Sequence, residues 1–269
     1  MPNLIIVIVL LIHWANSRFD HQVSVELEKL FAPQPAAWVE SSAAVVLPAP
    51  VQRWLDRSGA TDQPGYRKVK LVQEFQLRLK PEQKTWYRGE ATQYFNTVRP
   101  GFIWTLSLDI LPLVKIRGRD LLLDGKGEML IKLWSLFALV SEKNNPKIDE
   151  GTLQRFLGEM VWFPWMATSP YIEWEAGTDE TAKAILSYKG HAVSGTFEFD
   201  KEGKFRKFRT DRYLGGNEHA KRHPWVITAE KHGVHQNIEI PTHCKASWIL
   251  DDGHWNWAII SVSSARYDH

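Results

Sequence analysis

Cysteine is almost absent from this chain of 269 residues, and neither sign of charge dominates it. The single cysteine, Cys244, cannot form an internal disulfide, and one thiol does not make a metal site. The 33 Lys and Arg residues stand against 31 Asp and Glu residues, which leaves a formal net charge of +2. Because a nucleic-acid-binding surface needs an excess of basic residues to neutralise phosphates, we expect no nucleic-acid partner.

Complete catalytic signatures are missing as well. The sequence has no GxSxG motif, no Cys/His couple and no glycine-rich phosphate loop between a strand and a helix. Two histidine pairs, His219/His223 and His232/His235, lack a third ligand at a recognisable spacing, so we interpret them as solvated or turn residues. We therefore predict no metal and no cofactor, and the sequence does not by itself define an enzyme.

Aromatic residues are abundant instead, with 13 Trp, 7 Tyr and 12 Phe. The overall composition, 44% hydrophobic and 24% charged, is typical of a globular chain. It excludes a largely disordered protein and a polytopic membrane protein.

An apolar run occupies Leu4 to Ile12 and is much shorter than the roughly 20 residues of an ideal spanning helix. Its length is typical of the hydrophobic region of a signal peptide, and small residues, Ala15 and Ser17, precede a possible cleavage site at Arg18. Residues 1–17 are therefore predicted to be a signal peptide or a short membrane anchor, with a buried N-terminal strand as the alternative. The expected location is the cell envelope, with the protein exported or anchored to a membrane through its N-terminus.

Residues 18–46 are predicted to form an amphipathic helix and a linker. Val23, Leu27 and Leu30 keep helical spacing, and a stretch rich in Pro, Ala and Ser follows them. We expect a single folded domain over residues 47–269, entered through a short helix that ends at Gly59.

Alternation with a period of two dominates that domain. It is clearest from Val69 to Lys80, and the segment from Leu113 to Leu123 places Asp120 on its apolar face. Roughly ten or eleven such segments with only about three or four helices predict an α+β, mainly β fold. The prediction is one large curved antiparallel sheet, a half-barrel or barrel, with a few helices packed on or into it.

The clearest internal helix is predicted to begin at Asp149, a favourable N-cap residue, and to stop at Pro164. Among the later hairpins, turns are predicted at His232 with Gly233 and at Asp252 with Gly253.

Several motifs resemble those of a bacterial family that is known only as a domain of unknown function. They are LPAPVQRWLDRSG from Leu47, RPGFIW from Arg99, DGKGEM from Asp124, GTLQRFLGEMVWFP from Gly151 and FEFDKEG from Phe197. This resemblance covers the chain from Leu47 onward and implies an anchored N-terminus but no known activity. More remotely, the order of strands, the PGF segment and the DG turn are similar to lipoprotein-carrier half-barrels of the bacterial envelope, whose concave apolar face holds acyl chains.

Two acidic residues are the candidate catalytic groups. Glu159 directly precedes the aromatic cluster around Trp162, so we expect apolar surroundings to raise the pKa of its carboxyl group. Arg155 lies one helical turn earlier, and an Arg155–Glu159 pair that braces the helix is the structural alternative. Asp120 could meet Glu159 inside the curved sheet as an acid/base couple.

Arginine and aromatic residues are the candidate ligand contacts. Arg212 and Tyr213 could recognise an anion or simply end a strand, and the tryptophans could line a lipophilic cavity or fill an ordinary core. The full candidate ligand-binding set is Arg155, Glu159, Trp104, Trp134, Trp162, Trp165, Arg212 and Tyr213.

Three functional hypotheses follow. The leading one is a membrane-tethered or exported binding protein for a lipid or other apolar ligand of the cell envelope. The second is an envelope hydrolase that uses Glu159 and Asp120 as acid and base. The third is a structural partner in an envelope complex, with a protein partner that the sequence does not identify.

Overall fold

The alternating segments pair into one antiparallel sheet in the computed structural model, which describes residues 2–33, 47–61 and 65–269. Most of the predicted linker within 18–46 lies outside these ranges. In the described part of the chain the strands, β1 to β13 in chain order, are Lys68–Leu77, Tyr87–Asn96, Gly101–Leu111, Val114–Leu123, Lys126–Leu133, Phe137–Glu142, Ile172–Ala176, Thr181–Tyr188, His191–Phe199, Phe205–Tyr213, Arg222–His235, Ile238–Leu250 and Gly253–Asp268.

The sheet is open and consists of two meanders. Its strand order is β6-β5-β4-β3-β2-β1-β13-β12-β11-β10-β9-β8-β7, so the first and last strands are neighbours near its centre. Lys68 of β1 lies opposite Asp268 of β13. Strands β6 and β7 remain as edges, so the predicted curved antiparallel sheet is confirmed as a half-barrel and not as a closed barrel.

Period-two alternation explains which face of each strand is buried. In β1, Val69, Leu71 and Phe75 are buried, as predicted, whereas Leu79 lies beyond the end of the strand and is exposed. The region 128–140 is interpreted from the sequence as strand, although its periodicity also allows a helix. The structure confirms the strand interpretation, because this region lies in β5 and β6.

Three helices accompany the strands in the described residues: α1 (Pro2–Phe31), α2 (Ala49–Ser58) and α3 (Pro146–Glu159). The short helix α2 ends as predicted at Gly59, whose φ of 75° suits a residue without a side chain. Two 3-10 segments, Met160–Trp162 and Pro164–Thr168, continue from α3.

The predicted start of α3 is wrong. The helix begins at Pro146, and Asn145 is its N-cap because the Asn145 side chain accepts a hydrogen bond from the backbone N–H of Lys147. Asp149 is buried one turn later and accepts a hydrogen bond from the backbone N–H of Gly127 at 2.7 Å. A favourable capping residue therefore serves here to fasten the helix to the start of β5.

The turn predicted at His232 and Gly233 is also wrong, because both residues lie within β11. The chain reverses at Gln236 and Asn237, whose φ angles are 47° and 65°. Asn tolerates this left-handed conformation better than most residues, which favours the turn at this position. The turn predicted at Asp252 and Gly253 is confirmed, since it lies between β12 and β13.

Helix α1 lies on the opposite face of the sheet from α3. Adjacent residues of β4 show this arrangement, because Arg119 contacts Glu26 of α1 while Asp120 contacts Arg155 of α3. We call the α3 side the concave face and the α1 side the convex face.

The concave face beneath α3 is filled. Helix α3 packs on β4, β5 and β8–β10, and the following 3-10 segment packs on β12. Large side chains, among them Phe95, Phe156, Trp162, Phe163 and Phe208, are fully buried between the helix and the sheet. This half of the interior is a packed core and not a cavity.

Candidate functional site

A buried polar cluster lies where α3 crosses β2 and β4. Arg155 donates from Nη1 to Oδ2 of Asp120 at 2.6 Å and from Nε to Oε1 of Glu159 at 2.8 Å. Gln93 of β2 donates to the second oxygen of Glu159 at 2.7 Å. The structure therefore brings together the three polar residues that the sequence singles out, and both the proposed helical pair and the position of Asp120 are confirmed.

Burial and charge act in opposite directions on this cluster. Desolvation raises the pKa of the Glu159 carboxyl group above its ordinary value, and the attraction of Arg155 and the hydrogen bond from Gln93 offset this only in part. The predicted direction of the pKa shift of Glu159 is thus confirmed. Burial lowers the pKa of Arg155, but the carboxylates of Glu159 and Asp120 more than offset this, so the pKa of Arg155 lies above its ordinary value.

The cluster holds the guanidinium group of Arg155 in a fixed orientation, whereas the carboxyl group of Glu159 is not exposed. Both oxygens of Glu159 accept hydrogen bonds from protein groups, and Arg155 lies between Glu159 and Asp120. The Arg155 guanidinium also lies over the ring of Trp104, 4.9 Å from the ring centroid. The arrangement holds a cation against an aromatic wall.

A second arginine lies beside this cluster without a carboxylate partner. Arg212 of β10 lies over Trp225 at 4.9 Å and near Trp248 at 5.9 Å from the ring centroids. No ion pair or side-chain hydrogen bond links Arg212 to another described residue, and its Nε atom is buried. Burial and the charge of Arg155 lower the pKa of Arg212 to about 10, so it remains a cation at neutral pH.

Tryptophans form a row across three strands next to Arg212. Trp225 lies opposite Trp248, and Trp248 lies opposite Trp255, so their side chains share one face of the sheet. We call Trp225, Trp248 and Trp255 the tryptophan ladder. The first two rings are buried in the core cluster, and Trp255 is half-buried.

Unsatisfied hydrogen-bond donors accumulate at this ladder. The indole N–H groups of Trp225, Trp255 and Trp257 and the Nε–H of Arg212 are buried and find no acceptor among the described residues. All four groups are donors, and buried donors are normally paired. Among the described residues these donors are unsatisfied, so an acceptor bound beside them would be stabilised.

The concave face is only half-buried next to the ladder. Ile110 near the end of β3, Ile116 near the start of β4, and Trp255 and Trp257 near the start of β13 pack against the core but are only half-buried. We call these four residues the open end of the concave face. Its apolar walls and the donors of the ladder lie on the same side of the sheet.

The other predicted ligand contacts are dispersed. Trp162 is buried and donates to the backbone oxygen of Pro241, and Trp165 donates to the backbone oxygen of Tyr66. Tyr213 stacks with Lys147 and Arg222 near the start of α3. Trp134 lies in the β5–β6 turn and donates to the backbone oxygen of Leu113. None of these four belongs to the row formed by the tryptophan ladder.

Sequence reasoning missed Gln93, Gln73 and Trp225. Gln73 accepts a hydrogen bond from the indole of Trp104, and Gln93 holds Glu159. A polar residue at an inward position of an otherwise apolar strand was the available signal, since Gln73 shares a face with Leu71 and Phe75. Trp225 has no such signal, because its role depends on the pairing of three strands.

Two cavities lie elsewhere. The larger, of about 1030 Å³, is lined by residues that include Phe31, Tyr66, Arg99 and Trp165 and adjoins the described ends at Pro33 and Thr61. The smaller, of about 390 Å³, lies among Glu150, Gln154, Arg209 and their neighbours. Neither is lined by Asp120, Arg155 or Glu159.

Metal-ligating side chains do not converge in the part of the chain that the structure describes. No group of three or more His, Cys, Asp or Glu residues there could hold a metal ion. Burial raises the pKa of the Cys244 thiol to about 12, which keeps it in the unreactive protonated form.

Fold and site together define an open antiparallel half-barrel with a charged cluster and unpaired donors on its concave face. The chain belongs to the family of unknown function DUF6920, whose model matches residues 45–267. The resemblance to a family of unknown function is thereby confirmed. No curated protein matches the chain.

Solved structures with a similar architecture share little sequence with this chain. A predicted outer membrane lipoprotein-sorting protein domain from Vibrio parahaemolyticus has 9% identity and a TM-score of 0.42, over 81% of this chain and 91% of that one. A LolA superfamily protein from Nitrosomonas europaea has 9% identity and a TM-score of 0.40, over 83% and 95%. A DUF1329 family protein from Desulfovibrio piger has 12% identity and a TM-score of 0.38, over 81% and 93%. Similarity at this level does not extend to function.

Proposed function

We propose that this protein is a membrane-tethered binding protein of the cell envelope, and that its ligand is an amphiphile with an anionic head group. The head group lies at Arg212 and the tryptophan ladder, and the apolar part lies along the open end of the concave face. The observation that carries the proposal is the unpaired Arg212 among indole donors.

The charge of the site selects the head group. Arg155 is neutralised by Asp120 and Glu159, whereas Arg212 has no carboxylate in contact. An anion placed at Arg212 gains a charge-assisted hydrogen bond from Nε and a further bond from the unpaired indole N–H of the adjacent Trp225. A carboxylate and a phosphate satisfy this requirement equally well, because both offer several acceptor oxygens.

The apolar part of the ligand is indicated by the walls of the open end. Its half-buried side chains are two isoleucines and two tryptophans, and sites for small ligands combine such walls with a few placed polar groups. The tether is the N-terminal part of α1, whose apolar residues from Leu4 to Leu11 are exposed and enter the bilayer, although this stretch alone is too short to cross it.

The test is binding of a fatty acid that carries a dansyl group at the end of its tail. The full chain is reconstituted in phosphatidylcholine nanodiscs, and energy transfer from tryptophan to dansyl is measured against empty discs. We expect Arg212→Met to weaken binding at least about tenfold, since a hydrogen bond to a charged group contributes about 1.5–3 kcal/mol. Arg209→Met is the matched control, because Arg209 lies on the same strand but is exposed and faces away.

The chemistry of the head group is resolved by two further ligands. The matching dansyl-labelled alcohol should bind the wild type no better than it binds Arg212→Met. Competition by lysophosphatidylglycerol would show that a phosphate is accepted as well as a carboxylate. Equal binding of the acid by the wild type and Arg212→Met would contradict the proposal.

A further inference from the structure

Helix α1 leaves the sheet beside the tips of two hairpins. Ala15 and Phe19 are its buried residues at this point, and Asn16 accepts a hydrogen bond from Ser135 in the β5–β6 turn at 2.7 Å. On the N-terminal side of this contact, all residues from Leu4 to Leu11 are exposed by 47–66%. The apolar part of α1 therefore begins at the level of this turn.

The two hairpin tips present large apolar side chains of their own. Leu113 in the β3–β4 turn is 94% exposed, and Leu111 and Phe137 are exposed by 64% and 60%. Trp134 ties the tips together, since its indole donates to the backbone oxygen of Leu113 at 2.7 Å and its backbone N–H to that of Lys115 at 2.9 Å. We call Leu111, Leu113, Trp134 and Phe137 the tip patch.

We propose that the tip patch inserts into the surface of the bilayer that receives α1, so that the protein docks on the membrane as well as being tethered to it. This proposal rests on the tether proposed above. The occupant follows from continuity, because Leu11 is five residues from Asn16. Whichever apolar phase covers Leu4 to Leu11 must therefore begin within about one and a half helical turns, roughly 7.5 Å, of Asn16. Asn16 is in contact with the turn that carries Trp134, so the same phase reaches the tip patch.

Side chains around this level have the character of a membrane interface. The guanidinium of Arg18 lies over the ring of the exposed Trp14 at 4.9 Å, and Trp134 lies at the same level on the sheet. Tryptophans with nearby basic residues are typical of the boundary between head groups and hydrocarbon. The exposed Lys115 is paired with Asp109 at 3.6 Å, so this lysine adds no unpaired positive charge beside the tip patch.

Docking fixes the orientation of the concave face. The β3–β4 hairpin carries two residues of the tip patch, Leu111 and Leu113, and two residues of the open end, Ile110 and Ile116. A docked protein therefore holds the open end close to the bilayer surface. An amphiphile could then exchange between the membrane and the concave face over a short distance.

The experiment uses the full chain with an environment-sensitive NBD fluorophore at Leu113→Cys, reconstituted into phosphatidylcholine vesicles. Cys244 is buried and does not compete for the label at neutral pH. Lys189→Cys is the matched control, because Lys189 is exposed and lies at the opposite end of β4 from the tip patch. Its position there follows from Gly125 in the β4–β5 turn, where an added Cβ would lie 2.8 Å from the Cβ of Lys189. We expect the label at 113, and not the label at 189, to shift to shorter emission wavelength and to be quenched by lipids that carry a nitroxide near the head group.

Three outcomes would overturn the proposal in distinguishable ways. If the protein floats with the vesicles but the two labels behave alike, the tether holds and the docking is wrong. If the protein does not float with the vesicles, both the tether and the docking are wrong. If the emission of the label at 113 is shifted but lipids that carry a nitroxide do not quench it, the tip patch is covered by protein and not by lipid.

Discussion

Glu159 shows how one buried residue links stability to pH. Its carboxyl group is enclosed by α3 and β2, and Arg155 and Gln93 provide its hydrogen bonds. Burial raises the pKa of this group in the folded protein, so the native state holds the proton more tightly than the unfolded chain does. Ionisation of Glu159 therefore lowers the free energy of unfolding.

Glu159→Gln tests this link. Between the ordinary carboxyl pKa of 4.5 and the raised pKa of the folded protein, the native state binds more protons than the unfolded state. We therefore expect the free energy of unfolding of the wild type, relative to the variant, to be greatest below this window and to decrease as the pH rises through it. Urea unfolding at a series of pH values measures the difference. Glu175→Gln is the control, since it makes the same substitution at an exposed glutamate outside the buried cluster.

Helix α3 approaches the sheet closely through its glycines. A Cβ on Gly158 would lie 2.7 Å from two ring carbons of Phe208, which is itself fully buried. A Cβ on Gly151 would meet the Nε atom of Arg212 at 3.0 Å. The first contact is with a fixed ring in the core, and the second is with the flexible arm of an arginine.

Gly158→Ala should therefore destabilise the protein although alanine favours helices. The gain in helix propensity is about 1 kcal/mol, and overpacking a rigid core costs about 1–3 kcal/mol, so we expect a net loss of up to about 2 kcal/mol. Gly151→Ala should be less costly for stability, because Arg212 can shift. Equal urea midpoints for the two variants would contradict this account of the packing.

Local sequence patterns were sufficient to predict the strands and helices, but not the caps and turns at their ends or the register between strands. Alternation in β1 and helical spacing in α3 predicted the sheet and the Arg155–Glu159 pair, because both depend on residues close in sequence. The N-cap at Asn145 and the turn at Asn237 depend on competing residues of similar propensity. The tryptophan ladder depends on the register of β11, β12 and β13, which no local pattern specifies.

At the scale of the whole molecule, α1 joins two segments that the sequence separates. The predicted signal or anchor segment, 1–17, and the amphipathic helix that follows are one continuous helix, Pro2–Phe31. Its second half is fixed on the convex face by Arg117 with Asp20 and by Arg119 with Glu26. Leu30 completes this contact by packing with Ile103 and Leu121.

This continuity predicts that the chain is not cleaved before Arg18. Cleavage there would divide α1 within its sheet-packed part and remove the buried Ala15 and the bond between Asn16 and Ser135. We expect the full-length chain, expressed with a C-terminal tag and purified through that tag from whole cells and medium, to retain its N-terminal peptide in intact-mass analysis. Ser17→Leu is the matched control, because it removes the small residue next to the possible cleavage site while Ser17 is exposed. Equal masses, after correction for the substitution, support a permanent tether. A wild-type chain that starts at Arg18, beside an uncleaved variant, would instead show that residues 1–17 are a signal peptide and that the protein is released.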